Sequence, residues 1–542
     1  MREFSYTVGK ALSSGLRPYA KRSRDFQIYE LQNFKPSEFG LEPVDAVTVP
    51  VSEAALELKS LDDEVFPFPQ LFIGKKNTYI LGETSIYLVD PDNWNTLTEI
   101  STYNPSNPSA TKNITAGGMW EFADYYDSVI FTNGTCCIFA TTDFVDTSAW
   151  KYYVFDDTTI QTVIDYKGRV VFGGFDLSTF WGDLAESFLR DWYVKEVDTE
   201  FNPFKTIGGT SEIAPVYENF IWWSSAGGGD VMFLFLPAKV LETLYISSTY
   251  SASRPAFFDY LKMGTNGFAP MPVQGQVLTM RKAGDHLIVF SEFGVSAATA
   301  ITSPSPTMSV VSLPLGGIAY RGAAASGTDG VVYVDNAGAV VKINNDLTHT
   351  ILGYIEYVLP LIGSDLIVSF APTPYENQTF GEYYITDGTD MYVLNKAGLF
   401  KQKQACTGVS YREGLTVSLG TKLTGTSNIE GKVGIDGNDF NLPGLKTLEW
   451  VRVDYDEAGS PAVPTLQVAV DYVHDVGGSY TSTGFKTVNK EGVVYFPVAF
   501  VRGRINIKVS NYANHSIRYV EVGLKHGDNR YKRHVQAGET IS

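Results

Sequence analysis

The residue types that most often carry chemistry are sparse in this chain and poorly spaced for it. Six histidines, His286, His349, His474, His515, His526 and His534, stand apart, without the paired spacing that a zinc site uses. The acidic stretch DYDEAG, Asp454 to Gly459, begins like a calcium loop, but Thr465 stands where a bidentate Glu would have to close it, so a plain turn is expected. No Gly-x-Ser-x-Gly elbow, phosphate loop or dinucleotide fingerprint is present. The glycines of AGGGD, Ala226 to Asp230, lie between two strand-like runs and not ahead of a helix. Catalytic, cofactor and metal residues are therefore all assigned as none, and no enzyme activity is expected.

The one enzymatic alternative with physical content is a carbohydrate-active protein. Trp181, Trp222 and Trp223 could stack on sugar rings beside a pair of carboxylates, as in a glycosidase or sialidase. Against it, tryptophans serve as core or interface more often than as sugar platforms, and the sialidase pattern Ser-x-Asp-x-Gly-x-x-Trp has no match. SGTDGVVY, Ser326 to Tyr333, has the wrong spacing. A sugar-binding protein for host recognition, without hydrolysis, is the milder form of the same idea.

Any such site would have to be positioned by strands. At 542 residues and 44% apolar content, the chain is long enough for more than one core. Its 33 Phe and 32 Tyr against 8 Met, with 50 Gly and 25 Pro, favour pleated sheets and turns over helices. The best helical candidate is GDLAESFLRDWYVK, Gly182 to Lys195. Three cysteines, Cys136, Cys137 and Cys406, cannot make a disulfide framework, which fits folding in a reducing cytosol. The N-terminus shows no export signal, so Asn113-Ile-Thr and Asn133-Gly-Thr carry little weight as glycosylation sites. The longest uncharged run, Phe293 to Tyr320, holds three prolines and reads as strand and loop, not as a membrane span.

A turn followed by four or five apolar residues recurs along the middle of the chain. DYKGRVVFGGFD, Asp165 to Asp176, is the clearest copy. GETSIYLVD from Gly82, YYDSVIFTNG from Tyr125, YENFIWWSS from Tyr217, AGDHLIVFSEFG from Ala283, TDGVVYVDNAG from Thr328, GSDLIVSF from Gly363 and TDGTDMYVLNKAG from Thr386 are its relatives. Runs such as Leu287-Ile288-Val289-Phe290 are apolar throughout, as in strands covered on both faces. Most copies start about 35 to 50 residues apart, near the length of a four-stranded blade. The pattern predicts a mainly β fold with a β-propeller of six or seven blades over 71–408; a pair of ordinary sandwiches is the competing reading.

From about Val409 the apolar residues alternate with polar ones. Val451, Val453 and Tyr455, or Ile505, Ile507 and Val509, would face one side, with Arg452, Asp454, Asn506 and Lys508 on the other. This predicts an antiparallel β-sandwich over 409–535, followed by a short tail, 536–542. Residues 1–70 lack sustained periodicity and read as an extended N-terminal arm or docking segment.

The net charge of −18 is unevenly placed. Basic residues dominate both ends, and the middle is acidic. The bland account is a solvated surface; the sharper one has the ends docking on acidic neighbours while the middle repels nucleic acid. On the sharper account Arg17, Lys21, Arg22, Arg24, Arg502, Arg504 and Arg518 are the candidate assembly contacts.

This order of parts, with RSRDFQIYELQNFKPSEFGLEPVDAV (Arg22 to Val47) at one end and FVRGRINIKVSNYANHSIRYVEVGLKHGDNR (Phe500 to Arg530) at the other, resembles the tail nozzle proteins of short-tailed bacteriophages. That group includes packaged-DNA-stabilisation proteins. The resemblance implies a structural virion protein, a homo-oligomer, usually a hexamer, assembled in the host cytoplasm and attached below portal and adaptor rings. It would have tail fibre or other tail proteins as further partners, and its channel would retain genomic DNA and conduct it during ejection without sequence-specific binding. Arg502, Arg504 and Arg518 would be its domain or ring contacts. An acidic bore would suit such passage, because a basic wall would hold the duplex through counterion release.

Overall fold

The computed structural model describes residues 2–8, 12–18, 26–44, 50–104, 107–125, 128–142, 150–155, 159–175, 217–224, 267–301, 307–362, 366–372, 381–403, 406–412, 415–419, 430–440, 442, 444–457, 465–475, 477–510 and 515–526. Almost every regular element among them is a strand, and nearly all pairing is antiparallel. The helical candidate Gly182 to Lys195, Trp181 and the glycines of AGGGD lie outside the described residues.

The recurring turn-and-apolar unit builds hairpins. Ile160–Tyr166 and Arg169–Phe175 are joined by Lys167 and Gly168, both at positive φ (48° and 72°), the backbone that a two-residue hairpin turn requires. The apolar runs are inner strands: Leu287, Ile288, Val289 and Phe290 are all fully buried, as are Val331 to Val334. Four-stranded sheets result, such as Val277–Ala283, His286–Ser291, Val295–Ile301 and Thr307–Leu313, or the sheet from Ala324–Gly327 to His349–Gly353. The uncharged run from Phe293 thus contributes strands. Among the described residues no helix is long and apolar enough to cross a membrane.

The expected six- or seven-bladed propeller followed by a separate sandwich is corrected. The described strands form several open sheets with free edges, and no closed propeller or curled barrel is found. A pattern of doubly covered strands reports only that something lies on each face, and stacked open sheets meet that condition as well as a ring does. Nor do the late strands stand alone. The sheet that starts at Ile367–Pro372 and runs through Gly381–Thr386, Met391–Leu394 and Leu399–Gln402 continues through Gln27–Gln32 into Glu430–Asn438, Arg502–Ser510 and Leu466–Val473. Ten strands share it.

The extended arm is corrected by the same pairings. Gln27–Gln32 is an inner strand, parallel to Leu399–Gln402 on one side and antiparallel to Glu430–Asn438 on the other. Arg2–Thr7 pairs with the far end of the chain, His515–His526, and the hairpin Phe34–Ser37 with Gly40–Pro43 reaches the same strand through Leu41 and Ile517. At four to six residues these strands are too short to show a period by themselves. Apart from the pairing within the hairpin, their partners lie hundreds of residues away.

The largest core joins all of these parts. Leu16, Ile28, Leu31 and Phe34 from the start pack with Val433, Ile435, Ile505, Ile507 and Val509, and with Phe290, Val332 and Tyr333 from the middle. The alternation of the late strands shows in burial: Val451 and Val453 are buried while Arg452 and Asp454 are not. All three cysteines are free and buried, and the Cys406 thiol lies 3.3 Å from the Met391 sulfur.

Candidate functional site

The polar face of the ten-stranded sheet gathers aromatic rings, carboxylates, an amide and cations. Strand registry places them: Arg504 stands opposite Asp436 on one neighbouring strand and Asp471 on the other, and Asn506 stands opposite Gly434 and Ala469. With period two, Ile505 and Ile507 enter the core, and Arg504, Asn506 and Lys508 are left on the outer face.

At the centre is Arg504. Its Nε donates to Asp436 Oδ2 at 3.2 Å, and its guanidinium carbon lies 4.8 Å from the ring centre of Tyr29 and 4.3 Å from that of Tyr480. Burial works against the charge, but the Asp436 carboxylate and the two tyrosines more than offset it and hold the pKa above its usual value. Burial also raises the Tyr29 hydroxyl, which therefore stays protonated and donates to Asn506 Oδ1. Asn506 Nδ2 in turn donates to Asp471 Oδ2 at 2.6 Å. Gly434 makes room for this arrangement, since a Cβ there would stand 2.7 Å from the Tyr29 ring. Lys508 lies 4.6 Å from the ring centre of Phe485 and 3.5 Å from the Glu430 carboxylate. Tyr480 and Phe485 are 39% and 41% exposed, so two aromatic rings remain open to solvent beside fixed polar groups.

A second cluster is buried where four sheets meet. Strand Glu121–Tyr125 lies against Ile160–Tyr166, that strand against Val277–Ala283, and that in turn against Ala324–Gly327. Glu121, only 5% exposed, accepts from Arg281 Nη1 at 2.8 Å and Nη2 at 2.9 Å, and from the Thr279 hydroxyl at 2.8 Å. Arg281 Nε also donates to the Ala324 carbonyl at 2.7 Å, so this one ion pair ties three sheets together.

The candidate contacts scatter. Arg504 sits in the aromatic cluster; Arg502, two residues before it, is exposed. Arg518 pairs with Asp456 across the neighbouring strands His515–His526 and Lys446–Glu457. Arg17 is exposed, and its carbonyl accepts from the Tyr357 hydroxyl at 3.3 Å. Lys21, Arg22 and Arg24 lie outside the described residues. Of the tryptophans, Trp223 is buried, and Trp222 packs against Phe172 with ring centres 5.4 Å apart. DYDEAG begins inside the strand Lys446–Glu457.

Sequence reasoning missed Tyr29, Asp436, Asp471, Tyr480 and Phe485, and the whole of the Glu121 cluster. Arg504 and Asn506 stood in an alternating strand, but a sequence does not say which strand lies beside it.

No protein-family model and no curated protein matches the sequence. Among solved structures, the chain is similar to PorZ, an essential bacterial surface component of the type-IX secretion system of Porphyromonas gingivalis, at 9% identity and a TM-score of 0.33, over 75% of this chain and 44% of that one. It thus spans less than half of that protein's length. AztD of Citrobacter koseri is similar at 9% identity and a TM-score of 0.27, over 65% of this chain and 89% of that one.

The resemblance to phage tail nozzle proteins is corrected: no family model and no curated protein of that group matches the sequence. The nozzle function and the virion vocabulary lose their footing with it. The described parts of the two end stretches on which the resemblance rested contribute paired strands to the sheets described above, and among the described residues the central sheets form no closed ring to enclose DNA.

Proposed function

We propose that this chain binds carbohydrate without hydrolysing it, on the outer face of the ten-stranded sheet. The observation that carries the reading is the pairing of two exposed rings, Tyr480 and Phe485, with the cations Arg504 and Lys508, which hold them in place beside carboxylate and amide groups. A sugar ring presents apolar C–H patches to aromatic faces and hydroxyls to fixed donors and acceptors at its edge. A mostly apolar wall with a few convergent polar groups is the general form of a small-molecule site. The carboxylates here are already engaged, Asp436 by Arg504 and Asp471 by Asn506, which suits orientation and not acid–base turnover.

The test is a glycan array followed by calorimetry on the best oligosaccharide. Saturable binding is expected, with Tyr480→Ala and Phe485→Ala each weakening it about tenfold, roughly 1.4 kcal/mol. No sugar should be released on prolonged incubation. Absence of binding to any glycan, or affinity unchanged in both variants, would overturn the reading.

A further prediction concerns Gly434. Gly434→Val should drive the Tyr29 ring off its seat, because the new Cβ would fall 2.7 Å from that ring. The expected loss of sugar affinity is about as large as for Tyr480→Ala, with the rest of the fold retained by circular dichroism. Tyr29→Phe, which removes only the hydroxyl donated to Asn506, should cost less.

A further inference from the structure

A second aromatic pair stands on the six-stranded sheet that carries His515–His526. In that sheet Val451, Val453, Val520, Val522 and Leu524 enter the core, so the residues between them face outward. One row of outward positions crosses four strands: Ser5 of Arg2–Thr7 is opposite Gly523, Gly523 is opposite Trp450, and Trp450 is opposite Tyr495 of Val493–Phe500. A Cβ on Gly523 would fall within 2.7 Å of three indole atoms of Trp450, Cε2, Nε1 and Cδ2. Cε2 and Cδ2 are ring-fusion carbons, with every in-plane direction taken by a bond, so the glycine meets the face of the indole and not its edge. The ring therefore lies flat across the strand, which leaves Gly523 buried at an outward position, and its second face points away from the sheet. Among the described residues no ring stacks on that second face and nothing accepts from the indole N–H. Tyr495, on the neighbouring strand about 5 Å away, is 65% exposed.

Charged groups of both signs border the pair. The Lys525 ammonium is paired with the Glu449 carboxylate, and Arg452 stands opposite Glu521. Two cations balanced by two carboxylates favour neither an anion nor a cation at this place. The aromatic island is also small, since Glu449 and Arg452 flank Trp450 on its own strand, whereas a stable protein partner covers about 800 Å² on each side. The geometry points to Trp450 and Tyr495 as a second carbohydrate platform, for a neutral pyranose whose apolar C–H face lies on the outer indole face and whose edge hydroxyls meet the indole N–H, Arg452 and Glu521. An aromatic wall with a few polar groups at its border is suited to a ligand that is apolar on its face and polar at its edge. The platform uses no residue of the ten-stranded sheet and holds whether or not that sheet binds sugar.

The experiment is calorimetric titration of the full chain carrying Tyr480→Ala and Phe485→Ala, which removes the exposed rings of the other face. Cellohexaose, maltohexaose and chitohexaose are the neutral probes and hexagalacturonate the charged one. At least one neutral probe is expected to bind saturably, and hexagalacturonate no more tightly than the best of them. In that background Tyr495→Ala should weaken binding about tenfold or more. Its unfolding temperature should change little, because a side chain so exposed carries little of the fold. Gly523→Ala should match that loss, since the new Cβ lifts the indole from its seat. Trp450→Ala also uncovers Gly523, so where it lowers stability the Tyr495 variant decides. The proposal is overturned if none of the three neutral probes binds, if hexagalacturonate binds more tightly than all of them, or if Tyr495→Ala leaves the affinity unchanged. Losses caused by the Tyr480 and Phe485 changes bear on the other face alone.

Discussion

Glu121→Ala is expected to destabilise the chain by about 3–5 kcal/mol, the cost of removing one partner from a buried ion pair. The carboxylate accepts two bonds from Arg281 and one from the Thr279 hydroxyl, and it is the charge that faces Arg321. Its removal leaves the Arg281 guanidinium at the junction with no carboxylate to balance it. Glu121→Gln keeps the shape and part of the hydrogen bonding and should cost less. In Glu121→Ala with Arg281→Met, the stranded charge is gone, so the double variant should be more stable than the sum of the two single losses predicts. Equilibrium denaturation of the four proteins measures the coupling; strictly additive losses would show that the pair does not hold the sheets together. The local consequence is specific, because Arg281 also holds the Ala324 carbonyl. Hydrogen exchange should therefore rise first in Ala324–Gly327.

Lys446→Met is expected to cost about 3 kcal/mol. Lys446 is 1% exposed, and its ammonium donates to the carbonyls of Leu442 at 2.7 Å, Gly444 at 3.0 Å and Val501 at 2.7 Å, with the Phe500 ring centre 5.3 Å away. Methionine fills a similar volume but leaves these three acceptors without that donor, so the loss reports hydrogen bonding and not a cavity. The position carries a pH signature as well. Burial lowers the Lys446 pKa from 10.5 to about 8, the attraction of Asp439 restoring only part of the shift. Between those values the folded chain has released a proton that the unfolded chain still holds, so unfolding takes one up, and wild-type stability gains as the pH climbs through the window. Below pH 8 the burial penalty is in full force. The gap between wild type and Lys446→Met should therefore widen from pH 8 to 10.5; a gap that narrows would show that the bonds from the ammonium to the three carbonyls outweigh the burial penalty on its charge.

The strands themselves were legible. Each apolar run that follows a Gly- or Asn-containing turn is a strand wherever it is described, because such a run buries well only in a sheet and such turns supply the positive φ that hairpins need. The alternation in Arg502–Ser510 was legible too, and with it the face that carries Arg504, Asn506 and Lys508. The circular array was inferred from spacing and pattern and is not found among the described residues, since equal spacing measures the length of a unit and not the angle between neighbouring units. Tyr29 and Glu121 were out of reach for a related reason. Tyr29 meets Asn506 across 477 positions, and Glu121 meets Arg281 across 160.

What the amino-acid order determined by itself is local: which segments extend, where they turn and which side of each late strand is dry, all set by backbone sterics and the transfer of apolar side chains from water. The tertiary structure alone decided which strands are neighbours. It inserted Gln27–Gln32 between strands some 400 residues away and drew the two chain ends together on His515–His526. That choice depends on long-range pairing, in which many partners satisfy the same backbone hydrogen bonds and only packing of the assembled core discriminates among them. The aromatic face and the buried Glu121–Arg281 pair exist only as a product of that selection, which is why no single stretch of the chain announces either.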